Sequence, residues 1–230
     1  MTDALLQING LRYAWPGASR PVLDGLSLRI EPGERVFLAG SSGAGKSTLL
    51  ALIGGLAAPD AGSIRFAGED LGALGRAARD RFRADHLGVI FQQFNLLPWL
   101  TSLANVRLGC QFSRSRRSRA GELDAAARRL LGAMDLPEEL FERRAGALSV
   151  GQQQRVAAAR ALIGEPDLVL ADEPTSALDV DRRDAFVRLL FEQAATAGSA
   201  VLFVSHDRDL SRLFDRTLEL DRLHAAGAPA

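Results

Sequence analysis

The sequence predicts an α/β chain: an N-terminal antiparallel β subdomain, a core of buried parallel strands, and an inserted α-helical subdomain. Three observations carry that prediction. Short apolar runs at residues 36–39, 168–171 and 200–204 stand far apart, each followed by turn or polar residues, as in parallel strands covered on both faces. Between the first two lies a stretch rich in Ala, Leu and Arg with helical spacing, clearest at 123–134. Residues 4–35 instead alternate apolar and polar, with turn signals at Trp15-Pro16-Gly17 and Glu31-Pro32-Gly33.

In chain order, residues 4–35 supply short antiparallel strands, and 36–39 is the first buried strand. It runs into Gly40-Ser41-Ser42-Gly43-Ala44-Gly45-Lys46-Ser47-Thr48 and then a helix-like run, Leu49-Leu50-Ala51-Leu52-Ile53. This is G-x-x-x-x-G-K-[ST] in its strand–loop–helix setting, the phosphate-binding loop of P-loop nucleotidases. Glycines let backbone N–H groups converge on phosphate oxygens, and the helix start adds its dipole. Lys46 would reach the β- and γ-phosphates of ATP and Ser47 would ligate Mg²⁺. Of the 28 Lys and Arg residues only Lys46 is lysine, which suggests a site needing a compact ammonium rather than a planar fork. The domain organisation expected is one domain over 1–230, with 1–91 and 165–230 as the nucleotide-binding core and β subdomain and 92–164 as the helical subdomain. Within the latter, 114–119 (Arg-Ser-Arg-Arg-Ser-Arg) is expected to be a solvated basic loop, and residues 225–230 a frayed tail.

The strand at 168–171 ends in Asp172-Glu173-Pro174. A carboxylate there can join the Mg²⁺ shell, which is the role expected of Asp172. Glu173, one residue on, is placed to orient or polarise an attacking water. Ser149 and Gly151 open another helix, and so another phosphate-binding N-terminus.

Bulk properties narrow the function. The 230 residues are 47% apolar and 24% charged with a formal net charge of zero, which argues against a general nucleic-acid binder. Cys110 is the one cysteine, so no internal disulfide forms and a reducing compartment fits. No secretory-signal pattern is expected at the N-terminus, and no apolar run nears the roughly 20 residues that span a bilayer. His86 and His224 have no motif around them and are expected to be ordinary surface residues.

Leu148-Ser149-Val150-Gly151-Gln152 and the following Gln153-Gln154-Arg155 resemble the signature motif of ATP-binding-cassette (ABC) ATPases, with Val150 where glycine is commoner. The resemblance covers about residues 4–222, with six motifs in order. It implies that Trp15 stacks on adenine, Tyr13 being the rival. It implies that Gln92, rather than its neighbour Gln93, meets Mg²⁺ and the water, and that His206 contacts the γ-phosphate. The loop Ser176-Ala177-Leu178-Asp179 would cross a dimer interface. Ser149, Gly151, Gln152 and Asp179 would then touch the nucleotide held by a second copy. Gly88-Val89-Ile90-Phe91-Gln92-Gln93-Phe94-Asn95-Leu96-Leu97-Pro98 and Leu103-Ala104-Asn105-Val106 are most similar to the lipoprotein-releasing and macrolide-exporter type of subunit. The family thus implies an ATPase that dimerises head to tail with ATP, drives a transmembrane permease and sits peripherally on the cytoplasmic face of the membrane. A regulatory ATPase acting on a membrane partner would carry the same motifs.

Overall fold

The computed structural model describes residues 4–225 apart from Ser42, Ala177 and Asp179; for Val180, Asp181, Arg222, His224 and Ala225 it describes the backbone alone. The expected tail at 225–230 lies almost wholly outside these residues. Alternation along β1 (Leu6–Tyr13) and β2 (Leu23–Ile30) puts Leu6, Ile8, Leu11 and Tyr13 with Leu23, Leu26, Leu28 and Ile30 in one core. β1 pairs antiparallel with β2 on one side and with β4 (Ala61–Phe66) on the other, and β5 (Glu69–Asp70) closes the order β2-β1-β4-β5.

The second sheet is parallel, in the order β6-β7-β8-β3-β9, with β3 Arg35–Ala39, β6 Leu87–Ile90, β7 Leu168–Asp172, β8 Ala200–Val204 and β9 Arg216–Glu219. β3, β7 and β8 are the three runs the sequence marks. β6 and β9 are additions. β6 follows α2 (Arg76–His86) without a single intervening residue, so no turn signal announces it. β9 is an edge strand with none of its four residues fully buried, so it lacks the apolar run that marks its neighbours.

The period-two alternation of a strand divides these side chains between two cores. Phe37, Ala39, Val169, Ala171, Val201 and Phe203 face α5 (Leu123–Ala133), α6 (Val150–Leu162) and α7 (Val180–Thr196). Val36, Leu38, Leu168, Leu170, Leu202 and Val204 face α1 (Lys46–Ile53) and the antiparallel sheet. Each of the Val, Leu and Phe side chains contributes about 1.5–3 kcal/mol on burial, so one sheet holds both layers. α6 lies directly on β6: a Cβ on Gly88 would come within 2.2 Å of the Ala161 carbonyl, so only glycine permits the approach.

One sequence expectation is overturned here. Residues 114–119 are not a loop but belong to α4 (Arg114–Ala120), which follows α3 (Ser102–Arg107) and is capped by Ser113, whose Oγ accepts from the Arg116 N–H at 3.0 Å. Nor is the run wholly solvated. Arg116 is 3% exposed and donates to the carbonyls of Leu87 (2.9 Å), Ala161 (2.7 Å) and Ile163 (3.0 Å from Nε). The last carbonyls of a helix have no intrahelical donor, and the guanidinium fork satisfies those at the end of α6. His86 stays at the surface as expected, its side chain 39% exposed, but it is paired. Its Nδ1 lies 2.6 Å from an Asp167 carboxylate oxygen, and its ring packs on Phe82 and Phe66. His224 has no described side chain.

Candidate functional site

The loops leaving the carboxyl ends of β3, β6, β7 and β8 meet at one place. After β3 the chain turns through Gly40–Gly45 into α1. Gly45 occupies the position before the helix with φ 98°, and a Cβ there would lie 2.9 Å from side-chain carbons of both Val22 and Leu23. Glycine is required for the conformation and for the approach to the start of β2. Among the described residues no side chain caps α1 and its first turn holds no acid, so its N–H groups and positive dipole end remain available to an anion. Lys46 is 8% exposed, and its Nζ donates to the carbonyls of Gly40 (2.7 Å) and Ser41 (2.9 Å).

Across the loop stands the end of β7. The Ser47 hydroxyl donates to Asp172 Oδ2 at 3.0 Å. Burial pushes the Asp172 carboxyl above its ordinary value; the Ser47 hydrogen bond holds it down, Glu173 adds to the rise and Lys46 opposes it. The backbone then passes through Glu173 with φ 43°, a left-handed conformation costing on the order of 1 kcal/mol for a non-glycine residue. A hydrogen bond from its N–H to the Val204 carbonyl at 2.9 Å holds it there. The carboxylate that results points between two side-chain nitrogens: Oε1 is 4.0 Å from Lys46 Nζ and Oε2 is 3.2 Å from Nδ1 of His206, which is 65% exposed.

Lys46, Ser47, Asp172 and Glu173 line a cleft of about 410 Å³ with Trp15, Val22, Gly43, Gly45, Thr48 and Gln92; His206 stands outside that lining, against Glu173. Trp15 is 47% exposed and its indole N–H reaches Thr48 Oγ1 at 3.3 Å; Tyr13 is 7% exposed and meets Trp15 edge-on at 5.2 Å. Of the two aromatics, Trp15 is the one on the cleft and Tyr13 supports it from the core. Gln92 comes from the loop after β6; Gln93 is not in the cleft lining. The backbone just beyond them is left-handed at Phe94 and Asn95, and Arg160 of α6 donates to both carbonyls, at 2.6 and 2.7 Å. Burial lowers the Arg160 guanidinium from its ordinary value. Gln154, 1% exposed, similarly donates to the Pro174 carbonyl at 2.8 Å, just past Glu173. Sequence reasoning assigned no role to Val22, Arg160 or Gln154, because their partners are distant in sequence and only the packing of α6 and β2 brings them close.

The signature residues are elsewhere. Ser149 and Gln152 form a reciprocal cap at the start of α6, the Ser149 N–H donating to Gln152 Oε1 at 2.9 Å and the Gln152 N–H to Ser149 Oγ at 3.3 Å. With Gly151 they line a separate cleft of about 290 Å³ that also includes Leu178, Arg155 and Asp135. Val150 beside them is 49% exposed. One chain therefore has a phosphate-loop cleft and a signature cleft that share no lining residue. Ser42 and Asp179 lie outside the described residues. Ser47, Gln92 and Asp172 offer oxygen atoms alone, at the mouth of a phosphate loop. That donor set suits Mg²⁺, which is held through one or two carboxylates, substrate phosphates and retained waters.

Comparison with known proteins identifies a family. Residues 23–176 match the family model described as ABC transporter. The chain is 44% identical over 215 residues to the lipoprotein-releasing system ATP-binding protein LolD of Pseudomonas fluorescens, covering 94% of this chain and 93% of that one. It is 39% identical over 226 residues to the macrolide export ATP-binding/permease protein MacB of Rhodopseudomonas palustris, covering 96% of this chain but 33% of that larger one. Among solved structures, a dimeric ATP-binding cassette in a post-hydrolysis state with ADP and Pi superposes with a TM-score of 0.83 at 34% identity, covering 93% of each chain.

Proposed function

Because the chain belongs to the ABC transporter family, with an α/β P-loop ATPase fold, we propose that it is the ATP-binding and ATP-hydrolysing subunit of a transport complex of the lipoprotein-releasing or macrolide-exporting kind. One observation carries the reading: the loops after β3, β6, β7 and β8 bring Lys46, Ser47, Gln92, Asp172 and Glu173 into one cleft, with His206 against Glu173. The reaction is ATP and water to ADP and phosphate. Its transition state is loose, so catalysis rests on positioning and charge stabilisation. Lys46 and the α1 N-terminus neutralise phosphate charge, and Trp15 stacks on the adenine. Glu173 orients the water and accepts its proton, while His206 contacts the γ-phosphate. Ser47, Gln92 and Asp172 would hold Mg²⁺, which would supply charge neutralisation on the β- and γ-phosphates.

The separation of the two clefts supports a head-to-tail pair in which Ser149, Gly151, Gln152 and Asp179 of one copy cover the ATP held by the other. The core at 1–91 and 165–230 and the helical unit at 92–164 would be the parts that close on ATP. Exposed Phe91 (40%) and Trp99 (65%), beside the Gln92 loop, support a contact face for a transmembrane permease there. Among the described residues no helix is long and apolar enough to cross a membrane, so the chain would sit peripherally on the inner face through that partner. Glu173→Gln tests the reading. It should keep ATP binding, lose turnover by about 10²–10⁴-fold, and accumulate as a dimer with Mg-ATP in light scattering. Turnover within threefold of the parent, or a mass that stays monomeric with the permease supplied, would overturn it.

A further inference from the structure

Arg183, in the first turns of α7, lines neither cleft. Its Nε donates to the Leu178 carbonyl at 2.8 Å, and its Nη1 pairs with Asp207 Oδ2 at 2.5 Å. The pair is mostly buried, 27% and 20% exposed, which sets it apart from the solvent-facing ion pairs that contribute little. Each end of this tie leads somewhere. Leu178 lines the signature cleft, and a Cβ on Gly151 would contact its side chain at 3.7 Å. Asp207 follows His206, and its N–H donates to Ser205 Oγ at 3.0 Å while its carboxylate accepts from the Asp209 N–H at 3.2 Å, so it organises the turn that carries the histidine. His206 in turn faces Glu173 at 3.2 Å.

From this arrangement we propose that Arg183 is a positioning residue that links the two ATP sites of the dimer: it carries movement of the interface loop at Leu178 to the His206–Glu173 pair of the same chain. The inference rests on the head-to-tail reading above. When a second copy's nucleotide engages Ser149 and Gly151, Leu178 is the neighbouring contact. A planar fork that holds the Leu178 carbonyl with one nitrogen and Asp207 with another cannot let one end move without the other. Closure of the signature cleft on one ATP thereby sets His206 and Glu173 against the other ATP. Lysine offers a single ammonium on a flexible stem and can grip one end at a time.

The test compares the parent with Arg183→Ala, Arg183→Lys, Asp207→Ala and the double variant Arg183→Ala/Asp207→Ala. For each, ATP affinity of the monomer is measured by calorimetry, steady-state turnover as a function of ATP, and melting temperature. Arg183→Ala should leave monomer affinity within twofold and lower kcat by about tenfold, within the range of typical coupling between sites. The Hill coefficient for ATP should move toward one. Arg183→Lys should recover part of kcat, and the double variant should be no slower than the worse single variant, because both remove one tie. Turnover of Arg183→Ala within twofold of the parent overturns the proposal. So does a loss that disappears when the assay is run well below the variant's melting temperature, since that is a purely structural effect. A parent that hydrolyses ATP but never dimerises would instead refute the head-to-tail reading on which the proposal stands.

Discussion

Replacing Arg116 by methionine should destabilise the fold without touching nucleotide chemistry. Methionine keeps most of the buried stem and removes only the polar fork, so the loss isolates the hydrogen bonds. Burial lowers the Arg116 guanidinium to about 10, which leaves it charged at neutral pH. Without it the carbonyls of Leu87, Ala161 and Ile163 lose their donor in a site that is 3% exposed. At about 1 kcal/mol for each carbonyl left short of a partner, the low end of the usual range, the total is about 3 kcal/mol. For a domain of this size, 1 kcal/mol moves the melting temperature by about 2–4 °C, so the variant should melt about 6–12 °C below the parent. Thermal unfolding at neutral pH followed by circular dichroism reads this directly. Arg117→Met, at an exposed position of the same helix, is the control and should change stability by no more than about 0.5 kcal/mol. Leu87 begins β6 while the cleft lies at the carboxyl ends of the strands, so ATP affinity well below the melting point should match the parent's. Equal, small shifts for Arg116→Met and Arg117→Met would refute the reasoning and return the segment to solvated surface.

Four further outcomes are expected. Gly45→Ala forces a side chain into the left-handed region and to 2.9 Å from Val22 and Leu23, so ATP affinity measured by calorimetry should fall at least about tenfold, and an unchanged affinity would show that the loop relaxes freely. Trp15→Ala should weaken ATP binding by about 1–3 kcal/mol, the worth of a base–aromatic stack, while Tyr13→Ala should act mainly on the melting temperature because Tyr13 is in the core; the reverse ordering of the two affinities would exchange their roles. Lys46→Arg should damage ATP binding nearly as much as Lys46→Ala, because the Lys46 ammonium sits in a pocket of loop carbonyls too close for a planar fork, and titrations that find parent-like affinity for the arginine variant would contradict this. Asp172→Asn should abolish most turnover yet melt no lower than the parent. The folded Asp172 holds its proton to higher pH than the unfolded chain does, so its ionisation costs stability as pH rises above about 3.8, and the amide removes that cost; a lower melting temperature at neutral pH would mean that the Ser47 bond outweighs the burial.

Chemistry that depends on a short stretch of chain was legible in the sequence. The phosphate loop is local: the motif is nine successive residues, six of them between β3 and α1 and the last three opening α1 at Lys46. The same holds for the cap at the start of α6, which Ser149 and Gln152 close three residues apart, and for the three strands whose apolar runs are uninterrupted. What escaped depends on partners far along the chain. β6 is a strand because β7 lies beside it, and β9 because β3 does; four residues of weak pattern carry no such information themselves. Arg116 looks like any arginine in a basic run, and is buried because the end of α6, 45 residues on, needs donors at that point in space. His86 and Asp167 meet, as do Arg183 and Asp207, only after the parallel sheet has set its order. Trp15 over Tyr13, by contrast, was already favoured by the Pro16-Gly17 turn that directly follows Trp15, and packing adds that Tyr13 is the aromatic in the core. Local motifs determine which groups the chain possesses; burial and long-range hydrogen bonding, which exist only in the folded layers, determine which of those groups face one another.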